Sequence, residues 1–400
     1  MGKQILALAI MRRGSAMGGG IRLGRVLGFN ISIDWSWFIV FFLVVYTLAN
    51  GYFPFAYPGF SRATNWALGI LAALLLFGSV LVHELSHSVV ARYYGTEVKG
   101  ITLFLFGGIS QTSEEPASAR EEFWMALVGP ITSFVLGAIF YMAANTASGL
   151  GWPLWFVAVS SYLGFINVLL GVFNLLPGFP LDGGRVLRSI IWAITDNLTK
   201  ATRWASYVGQ GFGFLLMAVG FVGMPGTGLL GILQGNLVGG LWLIFIGWFL
   251  AGAARSGYEQ ALIRDALSGV RVEQVMTTDV PVITADTSVR KFVDEHLLKH
   301  DYSCYPVVEP DTENVIGVIG AEEVRTVPSS DWELVSVGQI AHKIDGGYKI
   351  SEDEDAWEAV TRLASPEVCR LLVMDDGHLK GTVGRDAIFR LVQTKMRLAA

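Results

Sequence analysis

The spacing of apolar residues changes character near residue 255 of this 400-residue chain. Before that point, apolar residues run in long blocks with few charges. Beyond it, they alternate with polar residues at strand and helix spacing. The blocks fall at about Trp35–Asn50, Trp66–Tyr93, Phe123–Thr146, Pro153–Leu176, Trp204–Met224 and Leu229–Ala254. A bilayer-spanning helix needs about 20 such residues. The pattern therefore predicts an α-helical polytopic membrane protein of about six transmembrane helices over residues 1–255. One apolar stretch, Lys99 to Thr112, is β-prone, too short to span, and interrupted by Gly107-Gly108. It reads as a short re-entrant β-hairpin. The alternative is a loop lying on the lipid interface.

From about residue 268 the pattern repeats with a period of about 65 residues. Val272-Glu-Gln-Val-Met276 matches Val337-Gly-Gln-Ile-Ala341, Ser303-Cys-Tyr-Pro-Val-Val308 matches Val368-Cys-Arg-Leu-Leu-Val373, and Gly317–Gly320 matches Gly381–Gly384. Each copy reads as helix, short strand, helix, two apolar strands, helix. Repeats of one such unit bury a shared face by pairing. A soluble α/β module with copies at 268–328 and 332–396 is expected.

Composition supports this two-solvent reading: 52% of residues are hydrophobic, 16% are charged, and mean hydropathy is +0.49. Basic residues then orient the spans. Lys3, Arg12, Arg13, Arg22 and Arg25 precede the first span. Arg92, Lys99 and Arg120 lie between the second and third; Arg185, Arg188, Lys200 and Arg203 lie between the fourth and fifth; Arg255 follows the sixth. The other loops hold only Arg62. Both termini and the soluble module are therefore placed in the cytoplasm, with a prokaryotic cell membrane as the default location. The N-terminal stretch is basic but carries no signal-peptidase site. The two cysteines, Cys304 and Cys369, lie in the half that faces a reducing compartment, so no disulfide is expected. The net charge of −5 gives no reason to invoke nucleic acid.

The chemistry concentrates in the second span, at His83-Glu84-Leu85-Ser86-His87. Residues i and i+4 share one helix face, so two imidazoles can reach one metal ion with a carboxylate beside them. In a soluble helix such a match is often a solvated face. Here it lies between apolar runs, where a Glu flanked by two His has no cheap structural role. A hydrolytic zinc site needs a third protein ligand and one open position. The membrane half has no Cys and no other His. Most of its acids sit among polar neighbours, but Asp182 follows Pro177 and Pro180 where a span breaks. Irregular backbone at membrane depth is tolerated only in protein or beside a wet cavity, which makes Asp182 the natural third ligand. Its plain structural alternative is a helix N-cap.

HExxH in one span, with Asn174-Leu-Leu-Pro-Gly-Phe-Pro-Leu-Asp182-Gly183 ending a later one, resembles the site-2 protease family of intramembrane zinc metalloproteases over about residues 20–250. Phe106-Gly-Gly108 and Val128-Gly-Pro130 resemble family positions too. The resemblance implies one Zn²⁺ per protomer on His83, His87 and Asp182, catalysis by Glu84, and a role for Asn174 in positioning or polarising the substrate carbonyl. It implies regulated cleavage of single-span membrane proteins near the cytoplasmic side. An unwound substrate strand could pair with the edge of the Lys99–Thr112 segment.

The 65-residue repeat resembles a tandem pair of cystathionine-β-synthase-type (CBS) domains, which in many proteins bind adenine nucleotides. The ribose pattern G-x-x-[ST]-x-x-D is altered in both copies. Gly317-Val-Ile-Gly-Ala-Glu-Glu323 offers Glu323 for a ribose, and Gly381-Thr-Val-Gly-Arg-Asp-Ala387 lacks the expected acid. A regulatory or homodimerisation surface without nucleotide is the alternative. His296 and His300 also have i, i+4 spacing, but in a charged amphipathic segment they read as a solvated face. The acidic run Glu352–Asp355 reads as a helix start. Two other classes fit part of the chain: a CBS-gated transporter or channel, and an inactive helix-binding scaffold. Polar residues concentrated at His83, Glu84, His87 and Asp182 disfavour the first, and an intact Glu84 disfavours the second.

Overall fold

The computed structural model describes residues 20–398, apart from 106, 113–115, 224–236, 280, 300, 301, 303, 311–313, 345, 366, 367, 376 and 377. It divides into two compact units, Met17–Tyr258 and Glu259–Ala400.

Among the described residues, six helices are long and apolar enough to cross a membrane, the last of them running past Tyr258. They are α1 (Trp35–Ala56, with a π turn at Leu48–Tyr52), α2 (Arg62–Tyr93), α3 (Ala119–Gly149), α4 (Leu154–Asn174), α6 (Leu198–Val222) and α7 (Leu237–Leu267). Between α4 and α6 lies the shorter α5 (Asp182–Thr195). Their starts follow local chemistry. Ser61 accepts from the Thr64 amide at 3.1 Å to cap α2, Ser118 accepts from the Glu121 amide at 3.3 Å to cap α3, and Asp34 accepts from the Ser36 amide at 2.9 Å to cap α1. Helices α1, α2 and α4 share an apolar core of Leu48, Phe53, Leu68, Ala72, Ala158, Val159, Tyr162 and Leu163. The first five spans start and end within six residues of the expected bounds. For the sixth, residues 229–236 lie outside the described set, and the helix runs on to Leu267 instead of ending at Ala254.

The β-structure is larger than expected. Strands β3 (Val98–Phe104) and β4 (Gly107–Thr112) form the anticipated hairpin. A second hairpin, β1 (Ile21–Val26) and β2 (Phe29–Ile33), joins it to give a four-stranded sheet in the order β1-β2-β3-β4. β2 and β3 run parallel; the outer pairs are antiparallel. The β1–β2 turn places Leu27 and Gly28 at positive φ, as a two-residue hairpin loop requires. The period-2 signal is present in Phe29, Ile31 and Ile33, which are buried, while Asn30 and Ser32 face away. Phe29, Ile31 and Ile101 pack on Leu85 of α2, inside the HExxH segment. The sheet is thereby seated on the helix that carries the candidate site. Among the described residues, no strand pairs with the outer edge of β4.

The second unit holds two similar sets of elements. The first holds β5 (Ile283–Thr284), α8 (Val289–Phe292), β6 (Cys304–Val308), β7 (Val315–Gly320) and α9 (Ala321–Val324). The second holds α10 (Val337–Ile340), β8 (His342–Lys343), β9 (Lys349–Ile350), α11 (Ala356–Leu363), β10 (Arg370–Asp375), β11 (His378–Gly384) and α12 (Arg385–Leu398). In each copy a short strand runs parallel to the first long strand, and the two long strands are antiparallel. The copies interlock reciprocally. Thr277, ahead of β5, exchanges backbone bonds with Thr382 of β11 at 2.8 and 2.9 Å, and β8 pairs with β7 through His342 and Val318. Asp355 caps α11 by accepting from the Trp357 amide at 2.7 Å, which is the helix-start role read for the acidic run.

Cys304 and Cys369 are disulfide-bonded, with Cα atoms 6.3 Å apart. This corrects the expectation of no disulfide, which rested on compartment chemistry alone. The physical reason is the repeat itself. The cysteines occupy equivalent positions 65 residues apart, and pairing of the two copies brings those positions within the separation a disulfide spans.

Candidate metal centre

The HExxH segment lies two-thirds of the way along α2, with His83 and His87 one turn apart on the face toward α3 and α5. His83 Nε2, His87 Nε2 and Asp182 Oδ2 form a triangle with every side 3.1 Å. They are the one group of three metal-ligating side chains among the described residues. His83 is buried, and the side chains of His87 and Asp182 are 11% and 15% exposed.

The remaining ring nitrogens are held from α3. His83 Nδ1 lies 2.8 Å from Ser133 Oγ, and His87 Nδ1 lies 2.5 Å from the Met125 carbonyl. A carbonyl only accepts, so His87 Nδ1 carries the proton and, in a neutral ring, Nε2 presents a lone pair. That lone pair points at carboxylate oxygen. Two acceptors at that spacing are repulsive unless a proton or a metal cation lies between them. Zinc with ligand bonds of about 2.0–2.1 Å and tetrahedral angles puts donor atoms roughly 3.3 Å apart. The observed triangle fits that spacing, and both histidines have the partner on the other nitrogen that metal ligands usually have.

Gly129 completes the cradle. A Cβ there would lie 2.2 Å from His87 Nε2 and 2.6 Å from His83 Nε2. Any side chain would fill the space the two imidazoles face. Asp182 is brought in by the break after α4. Leu181 takes the extended cap conformation, and Asp182 sits in the first turn of α5 without capping it. The simple N-cap alternative is therefore not what the carboxylate does. The breaking loop is tied to α6 by the Phe179 amide, which donates to the Ala205 carbonyl at 3.2 Å.

Glu84 points toward the sheet. A Cβ on Gly108 would lie 2.3 Å from Glu84 Cγ, so β4 rests directly on this side chain. Ser88 Oγ and Ser110 Oγ, 3.1 Å apart, fasten the strand to the helix one turn farther on. Asn174 ends α4, and its side-chain amide donates to the Leu170 carbonyl at 3.0 Å. Glu323, in the second unit, accepts from the Gly320 amide at 2.9 Å. His296 is half-buried and stacks near Phe292 and Tyr305; His300 lies outside the described residues.

Ser133 and Met125 were not singled out from sequence. Ser133 carried a weak signal, as a hydroxyl in a mostly apolar span that also holds Thr132. The Met125 contact is made by backbone and leaves no mark in side-chain chemistry.

Comparisons with known proteins find family matches in both units. The model of peptidase family M50 matches residues 71–152 and 152–218, and the CBS-domain model matches 272–329. The chain is 35% identical over 97% of its length, and 99% of the relative's, to "Putative zinc metalloprotease sll0528" of Synechocystis sp.. It is 34% identical, over 93% of its length and 92% of the relative's, to Rip3 of Mycobacterium tuberculosis, which carries the same description. It is 28% identical to the zinc metalloprotease MJ0392 of Methanocaldococcus jannaschii over 92% and 95% of the two chains. A solved site-2 protease from Methanocaldococcus jannaschii aligns with 60% of this chain and 95% of its own, at 26% identity and a TM-score of 0.41.

Proposed function

The chain belongs to peptidase family M50, the site-2 proteases, as a membrane zinc metalloprotease with a CBS module, and on that premise we propose how it works. It is an intramembrane endopeptidase that cuts single-span membrane proteins near their cytoplasmic ends. The observation that carries this reading is the 3.1 Å triangle of His83, His87 and Asp182 donors inside an apolar helical bundle. The distribution of basic residues supports a multi-pass cell-membrane protein with both termini and the CBS module on the cytoplasmic side.

His83, His87 and Asp182 would hold the zinc, which would supply Lewis acidity at the scissile bond. Glu84 takes a proton from the attacking water as its oxygen adds to the peptide carbon. It then delivers the proton to the amine as the C–N bond breaks. Ser133 and the Met125 carbonyl keep both imidazoles aimed during this sequence. Asn174 orients the carbonyl. A transmembrane helix hides its carbonyls in its own hydrogen bonds, so the substrate must unwind before it reacts. The open edge of β4, resting on Glu84, gives an unwound segment a strand to pair with.

The test is cleavage of a tagged single-span membrane protein with helix-breaking residues in its cytoplasmic half, using purified full-length enzyme in detergent. Product that appears with the parent, disappears on chelation, and is absent with Glu84→Gln supports the proposal. Equal cleavage by Glu84→Gln overturns it.

A further inference from the structure

Among the described residues, a pair of charged side chains is buried in the membrane unit away from the candidate metal ligands. Glu122, near the start of α3, is wholly buried, and Arg188 of α5 is 8% exposed. Arg188 Nε donates to Glu122 Oε1 at 2.6 Å, and its Nη2 donates to the same oxygen. Arg185 Nε lies 3.8 Å from that oxygen. The Arg188 guanidinium also sits 5.2 Å from the centroid of the Phe179 ring, in the loop that precedes α5, within cation–π range.

Stability is a poor reason for this pair. Removing two charges from water is expensive, and apolar replacements of similar volume are often neutral or better. Glu122 Oε2 is buried without a partner among the described residues, which a pair selected for stability would avoid.

Its place in the fold suggests another role. Glu122 precedes Met125 by one turn of α3, and the Met125 carbonyl holds His87. Arg188 belongs to the helix that opens with Asp182. The loop between α4 and α5 breaks the helical path, so α5 inherits no fixed direction from α4. The ion pair ties α5 to the same helix that aims both histidines. A path thus runs from His87 to the Met125 carbonyl, along α3 to Glu122, across the ion pair to Arg188, and along α5 to Asp182.

We propose that Glu122 and Arg188 are positioning residues that set the Asp182 carboxylate against the His83–His87 pair, and so fix the affinity and geometry of the metal site. This rests on the metal reading given above. It is tested on full-length protein in detergent by two readouts that need no substrate: the rate of zinc release to a chelator, and the visible spectrum of the cobalt-substituted protein. Glu122→Gln keeps shape and removes the charge. Since that variant leaves Arg188 unpaired and can lose stability, Glu122→Leu with Arg188→Met removes both charges while keeping the volume. Supporting contacts around metal ligands typically change affinity about 10–100-fold. The proposal expects weakening of that size in both variants and an altered cobalt spectrum, even where the double variant melts as high as the parent. Parent-like zinc release and cobalt spectrum in the folded double variant would overturn it and leave the pair a packing feature. A parent protein that binds no zinc at all would overturn the metal reading itself, and this proposal with it.

Discussion

At the residue scale, the three proposed ligands, the proposed base and the glycine cradle should have separable roles, because they touch the site in different ways. Glu84 is not in the donor triangle, so Glu84→Gln should retain zinc and lose cleavage by several orders of magnitude; metal analysis beside a cleavage assay checks both. His87→Ala should lose both. Asp182→Asn removes the carboxylate's charge while keeping its shape, and zinc affinity should fall at least tenfold. Unchanged affinity would remove Asp182 from the ligand set. Gly129→Ala is the sharper substitution. Its methyl would stand 2.2 Å from His87 Nε2, closer than any non-bonded contact allows. We expect metal loss comparable to removing a ligand, in a protein that still inserts and folds; a zinc titration of the purified variant decides. HExxH and the N-x-x-P-x-x-x-L-D-G run pointed to His83, His87 and Asp182, which the fold brings together, since chemistry at those positions is carried by side chains. Met125 acts through its carbonyl and was not legible. Ser133 could have been found, because a hydroxyl buried in an apolar helix must bond something.

At the element scale, the spans were legible because twenty apolar residues leave little alternative to a membrane helix. The β3–β4 hairpin was legible from its glycine pair. Its extension by β1 and β2 was missed because Arg22 and Arg25 were weighed as topology signals. The alternation of Phe29, Ile31 and Ile33 was then overlooked. The Cys304–Cys369 bond was missed for a related reason: its geometry arises only when two repeats pair, and no local pattern expresses that. The sheet has a functional consequence that can be checked. Since β4 rests on Glu84, Gly108→Ala would place a methyl 2.3 Å from Glu84 Cγ and push strand or carboxylate away. Cleavage should drop at least tenfold while zinc content stays at the parent level. Loss of zinc together with activity would show that the strand supports the metal site and does not merely overlie it.

At the scale of the whole molecule, two compact units serve two solvents. The membrane unit carries the chemistry, and the CBS module has the reciprocal pairing of a repeat that buries one shared face. Its ribose positions depart from the nucleotide pattern, and the Glu323 carboxylate is engaged with the Gly320 amide. The module is therefore expected to act through its surface, as a regulatory or dimer contact. Titration of the purified protein with ATP should show no saturable binding; micromolar binding abolished by Glu323→Ala would reverse that reading. Reporter fusions to the C-terminus should place it in the cytoplasm, as the basic loops require.

The central claim is that three side chains from two spatially joined helices hold one zinc ion inside a membrane bundle. It is tested most directly by counting zinc per protomer in detergent-purified protein, beside a His83→Ala, His87→Ala double variant handled identically. One equivalent in the parent and none in the variant is the predicted result. No zinc in the parent after preparation without chelators, or equal zinc in both, would contradict it.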